Sequence, residues 1–277
     1  MADDAAPAPD TVTPEAREKL AAALWALVAK PDARLWPVFD GACAPGIFPK
    51  LRKAGIACRP LWLSEEPGLQ ASGPWLVDLY HHALTDEDLY EPFGEDGVRM
   101  RENVTAREAD PAVQLDAFLK ALPDSAAAVF WVGDNKLSDA IIYRHLRGLG
   151  KITIDADDGA LFKTESVTFR HADANVMAQV LPALDPPRYA RLLGPATHIL
   201  FAPHHEWGAD CVVARNVTAA MNVTPARGAL HWDRKRRYAA LECYKNASSD
   251  DKTTRKAAEQ TVSYQVEVPP GIDFIPL

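Results

Sequence analysis

A chain of 277 residues, 48% apolar and 25% charged, can bury a core without covalent staples and has room for one large or two small domains. Its formal net charge of −8 argues against a dedicated nucleic-acid binder, which needs a broad basic face to neutralise phosphates. The four cysteines, Cys43, Cys58, Cys211 and Cys243, contain no Cys-x-x-Cys pair; they argue against a disulfide framework and fit reduced thiols.

The opening MADDAAPAPD lacks the basic start and apolar run of a signal peptide, and no apolar window is long enough to span a bilayer. A cytoplasmic protein without membrane insertion is expected. Residues 1–12, rich in Ala, Pro and Asp, read as a disordered leader. A helix then starts at Thr13, a good N-cap, with Pro14 in the first turn and Glu15 complementing the helix dipole. Leu20, Leu24, Leu27 and Val28 recur at helical spacing, and Pro31 ends the element.

Leu35 to Phe39 reads as a buried strand and Asp40-Gly41 as the turn after it. Pro45 to Lys53 is a predicted helix closed by Gly55. Arg59–Leu63 and Pro74–Tyr80 read as strands. From His81 to Asp110 the periodicity fails, and an exposed acidic loop or insertion is expected. Regular patterning resumes with a helix over Pro111–Leu122, a strand over Ala126–Val132 and a helix over Lys136–Leu146. A meander follows through Ile152, Ile154, Leu161, Phe162, Val167 and Phe169, turning at Asp155 to Gly159. Helices over Ala174–Leu181 and Pro187–Leu193 and a strand over Thr197–Phe201 complete this region.

Interleaved helices and strands predict an α/β (or α+β) fold, a mixed β-sheet flanked by helices, over residues 13–205. Residues 206–277 read as a smaller C-terminal lobe or tail, with a helix over Asp233–Asn246 and a strand over Thr261–Val268.

No phosphate-binding loop, dinucleotide fingerprint, nucleophile elbow or zinc-protease helix is present, so no catalytic residue, cofactor or metal ligand is assigned. Weaker constellations read better as structure. His204-His205-Glu206 lacks the three- or four-residue spacing that suits a metal. His81-His82 fits a solvated strand end, and Asp155, Asp157 and Asp158 fit a hairpin turn. Cys43 carries no nucleophile signature. Arg234-Lys235-Arg236-Arg237 is the one dense basic run; it fits a solvated face, or a contact with nucleic acid or an acidic partner. Trp62, Trp75 and Trp207 lie near loop edges, where Trp often anchors partners.

Several blocks together resemble the adaptor, or effector-chaperone, family of bacterial type VI secretion, which carries a DUF4123-type domain. They are LWPVFDGACAPGIFPKL (Leu35–Leu51), GPWLVDL (Gly73–Leu79), YRHLRGLGKI (Tyr143–Ile152), DDGALFK (Asp157–Lys163) and LPALDPPRYARLLGPATHIL (Leu181–Leu200). Where that family has an Arg-Phe-Tyr-Asp-Pro-like run, this chain reads FRHADANVM, Phe169 to Met177. The resemblance implies a non-catalytic protein that binds one effector in the cytosol and loads it onto the spike-tip protein VgrG. Partner contacts are then expected around Asp40, Gly41, Gly73, Pro74 and Trp75, and at Arg234, Arg236 and Arg237. Two other readings stay open. One is a hydrolase or toxin with a site assembled from Asp40, Cys43, His204 and Glu206. The other is an immunity-type protein that neutralises a toxin.

Overall fold

A computed structural model describes residues 12–93, 97–102, 104–156, 163–207, 210–216, 222–232 and 272–274. Helix α1 (Pro14–Val28) starts where the sequence predicts, with the Thr13 hydroxyl accepting from the Ala16 N–H, and it buries Ala16, Leu20, Leu24 and Leu27. Strand β1 (Ala33–Asp40) follows. Helix α2 (Ile47–Lys53) begins two residues after Pro45, because Gly46 adopts φ +72° and a left-handed residue cannot continue a right-handed turn. Gly55, at φ +68°, ends the helix and feeds β2 (Ile56–Pro60) directly, so this strand lies earlier than the predicted Arg59–Leu63. Short helix α3 (Pro67–Ala71) leads into β3 (Pro74–His82).

The segment expected as a loop holds structure of its own. Helix α4 (Asp86–Leu89) is fixed by a capping box between Thr85 and Asp88, and strands β4 (Tyr90–Phe93) and β5 (Gly97–Met100) form a hairpin. Four-residue elements are too short to show a periodic signature. The segment is exposed, as its composition implies: Tyr90, Val98, Met100 and Leu84 all face solvent.

Helix α5 (Pro111–Ala121) is capped by Asp110. A 3-10 turn, Ser125–Ala127, precedes β6 (Ala128–Asp134), and α6 (Asp139–Arg147) comes next. Lys136 and Leu137 donate their N–H groups to the Asp134 carboxylate instead, which delays α6 relative to its predicted start. Then come β7 (Lys151–Asp155), β8 (Thr164–Thr168), α7 (Ala174–Val180), α8 (Pro186–Leu193) and β9 (His198–Phe201). Strands β10 (Val212–Arg215), β11 (Leu230–Trp232) and β12 (Ile272–Phe274) complete the described chain.

The fold is mixed α/β. Seven strands form the main sheet in the order β12-β10-β9-β6-β1-β3-β2, with every pairing antiparallel. The parallel pairing is β11 on β7, in a second sheet ordered β11-β7-β8. Strands from beyond residue 205 therefore extend both sheets, and the expected boundary at 205/206 does not separate them. The predicted helix Asp233–Asn246, the strand Thr261–Val268, the basic run and most of the leader lie outside the described residues. No described helix is long and apolar enough to cross a membrane.

The sheet centre is the β1–β6 ladder, from Ala33↔Asp134 to Phe39↔Ala128. Alternation sends Phe39 and Phe130 to one face, where both pack on Phe118 of α5. Trp36 and Trp131 point to the other. There the Trp36 Nε1–H donates to Asp139 at the start of α6, and Trp131 meets His145 and His171 edge-on. β1 and β3 pair only from Val38↔Leu76 to Asp40↔Pro74. Further along they splay, and the Tyr80 hydroxyl accepts from the Leu35 N–H at 2.9 Å in place of a ladder bond.

Candidate functional site

Asp40 is the last residue of β1 and only 1% exposed. A carboxylate that deep requires fixed donors. Its Oδ1 accepts from the Ala42 N–H at 2.9 Å, and its Oδ2 accepts from Arg170 Nε at 2.9 Å. Arg170 also donates to Cys43 Sγ at 3.0 Å and approaches Asp173 Oδ2 at 3.7 Å. Asp173 is the N-cap of α7, accepting from the Asn175 N–H at 2.9 Å. One guanidinium thus ties the end of β1, the turn after it and the entry to α7.

The protonation pattern follows from this packing. Burial, reinforced by Asp173 and Asp40, pushes the Cys43 thiol up to about 11, with Arg170 opposing. Burial also raises the Asp173 carboxyl despite the nearby Arg170, and the Asp40 hydrogen bond holds Arg170 firmly protonated. Cys43 is therefore a neutral thiol at neutral pH, which is a poor nucleophile.

The residues expected to meet a partner at this edge are mostly occupied internally. The Gly41 N–H donates to the Gly73 carbonyl at 2.9 Å, and a Cβ on Gly41 would lie 1.8 Å from the Ala71 carbonyl oxygen. Gly73 and Pro74 are buried, Gly73 under the Trp62 ring. Trp75 is half-buried, stacked on Phe39 and in edge contact with Phe48, and its Nε1–H donates to the Gln70 carbonyl at 3.2 Å. The Asp-Gly and Gly-Pro blocks shape this corner of the fold.

The dispersed set Asp40, Cys43, His204 and Glu206 is brought together only in part. Asp40 and Cys43 share Arg170, whereas His204 Nε2 lies 3.0 Å from Asp124 Oδ2 and its backbone N–H donates to Asn175 Oδ1. Glu206 is exposed. Sequence reasoning missed Arg170 and Asp173, although both sit in the FRHAD run where the family pattern departs; no local motif marks a residue whose partner is 130 positions away.

Two further features lie elsewhere. In the β4–β5 hairpin, Tyr90 pairs with Met100 and Val98 stands two residues along on the same face, at 42%, 67% and 72% exposure. Near the splayed strands, one ligand-capable atom each from Asp78, His81 and Asp139 lies within 4.8 Å of the others, a set suited to a metal ion.

The fold and these surfaces define a mixed α/β protein with a clasped loop corner and an exposed apolar hairpin. The chain belongs to the family described as a domain of unknown function, DUF4123, whose family model matches residues 35–191. No curated protein and no solved structure matches it.

Proposed function

We propose that this chain is a cytoplasmic, non-catalytic adaptor of type VI secretion, binding one effector and loading it onto the spike-tip protein. The family carries no assigned function, so the secretion reading rests on the resemblance of the blocks between Leu35 and Leu200. The observation that supports binding is the hairpin: Tyr90, Val98 and Met100 place a contiguous apolar strip in solvent on a two-stranded sheet. Such a strip gains free energy when a partner covers it. The hydrolase reading draws little from the geometry, because Cys43 is held as a neutral thiol and Asp40 is committed to Arg170.

The test is an affinity capture of the tagged full chain from cells that express the whole secretion apparatus, with partners identified by mass spectrometry. Co-recovery of one effector with the spike-tip protein supports the adaptor. Recovery of a toxin alone, which the chain inhibits in a direct assay, favours the immunity reading. Recovery of neither, from cells shown to contain both, overturns it.

A further inference from the structure

The splay between β1 and β3 leaves a cleft on the α6 side of the sheet. Its volume is about 160 Å³, and Trp36, Cys58, Arg59, Asp78 and Asp139 are among its walls. Asp78 comes from β3, and Asp139 is the first residue of α6. His81, three residues beyond Asp78, completes a cluster whose ligand-capable atoms all lie within 4.8 Å of one another.

We propose that Asp78, His81 and Asp139 form a zinc-binding site at the edge of this cleft. Each carboxylate has one oxygen already anchored. Asp139 Oδ1 accepts from the Nε1–H of buried Trp36 at 2.8 Å, and Asp78 Oδ1 accepts from the Tyr80 N–H at 2.8 Å. Anchoring one oxygen fixes the plane of the group and presents the other, which is how outer-shell donors orient metal ligands. Asp78 Oδ2 and His81 Nδ1 share a hydrogen bond at 2.9 Å, which holds the two groups side by side, and a metal would displace the proton between them.

The charge balance points the same way. Among the described residues, neither Asp78 nor Asp139 is in an ion pair with a lysine or arginine. Arg59, which lines the cleft, makes other contacts: its Nη2 donates to the Asp139 backbone carbonyl at 3.0 Å, and its guanidinium lies 4.0 Å over the Tyr143 ring. Two carboxylates therefore share this cleft with a guanidinium that faces a backbone carbonyl and a tyrosine ring, and with an imidazole beside it. A divalent cation would add the direct charge pairing that no lysine or arginine gives these two carboxylates.

One imidazole and two carboxylates suit zinc, which takes such ligands at about 2.0–2.2 Å with its donors roughly 3.3 Å apart. Closing the set from 4.8 Å needs only side-chain rotation, which half-exposed groups can make. Three protein ligands leave the fourth position open toward the cleft, for water or for a donor atom of a partner. A bound ion would also pin α6 to β3 across the splayed strands, so zinc is expected to raise thermal stability.

Isothermal titration of zinc chloride into the chelator-stripped full chain tests this, together with cobalt(II) absorption and thermal melts. The expected result is one equivalent of zinc bound, a raised Tm, and a cobalt spectrum without thiolate charge transfer. His81→Gln should weaken zinc binding more than about tenfold and abolish the Tm rise. It removes no core contact, so it should fold as the parent does by circular dichroism. Asp78→Asn is the second variant and should behave alike. Absence of saturable binding overturns the proposal, as does zinc binding of undiminished affinity in both variants or a thiolate signature in the cobalt spectrum.

Discussion

Arg170 Nε meets Asp40 Oδ2 at 2.9 Å, across 130 residues of sequence, and the two partners are unequally exposed: 38% for the arginine side chain and 1% for the aspartate. The arginine thus covers a carboxylate that has almost no access to water. Loss of the arginine is more damaging than its own exposure suggests, because it strands a buried charge. Arg170→Ala should cost about 3 kcal/mol in urea unfolding. Asp40→Asn combined with Arg170→Ala should cost less than the sum of the single changes, since the stranded charge is gone. Full additivity in that double-mutant cycle would show that the pair is not coupled.

Glycines divide by what surrounds them. Gly41 faces the Ala71 carbonyl so closely that a methyl group would force the β1 turn away from Gly73. Gly41→Ala should therefore destabilise by about 3 kcal/mol in chemical denaturation. A Cβ added to Gly68, inside α3, would meet no atom within 4 Å outside its own helix, and its φ is not positive. Gly68→Ala should stabilise by about 0.5 kcal/mol, through helix propensity and reduced freedom of the unfolded chain. Equal effects of the two substitutions would remove the steric account.

Stability should fall in mild acid. Burial holds His145, His171 and His198 down to about 4, with His145 adding to the effect at His171, and Arg215 and Lys30 adding to it at His198. In the unfolded chain these rings titrate near their ordinary value of about 6.5. Between those values the unfolded state binds more protons, so stability is full above about pH 6.5 and is lost as pH drops toward 4. His171 is fully buried against Trp131 and Phe169, and neither ring nitrogen makes a hydrogen bond of good geometry. Its contribution to the slope approaches about 1.4 kcal/mol per pH unit in that window. His171→Leu should flatten the dependence of the urea midpoint on pH between 7 and 5. A slope unchanged by that substitution would move the effect to other groups.

The parts of this architecture visible in sequence are those with local causes. The Thr13 cap and the Pro111 helix start are short-range signals, and the structure uses both, whereas the helix expected from Pro187 starts one residue earlier, capped by Asp185. The apolar runs of β1 and β6 read as strands because both faces are covered. The Asp40 clasp is different in kind. It depends on the closeness of Asp40 and Arg170 in space, and an isolated arginine after a strand carries no signal of its target. The cluster of Asp78, His81 and Asp139 is hidden for the same reason, since α6 and β3 become neighbours only when the sheet is assembled. Strand order was likewise beyond the sequence: nothing local assigns β10 or β12 to the main sheet rather than to a separate lobe.

The hairpin offers the sharpest separation of fold from function. Val98 and Met100 are exposed, so replacing both with lysine removes little buried area. Unfolding free energy should stay within about 0.5 kcal/mol of the parent, as for most surface substitutions. Cargo capture should respond very differently. Desolvated apolar contacts at an interface centre commonly cost about 2 kcal/mol or more when lost, close to a thirtyfold change in affinity. A double lysine variant that melts like the parent but no longer recovers the effector would locate cargo binding on this strip. Undiminished recovery would move the contact off the hairpin and direct attention to the basic run at Arg234, Arg236 and Arg237. Replacing those three residues with glutamine is then the discriminating experiment, because a charge-driven contact must also weaken with rising salt, whereas an apolar one does not.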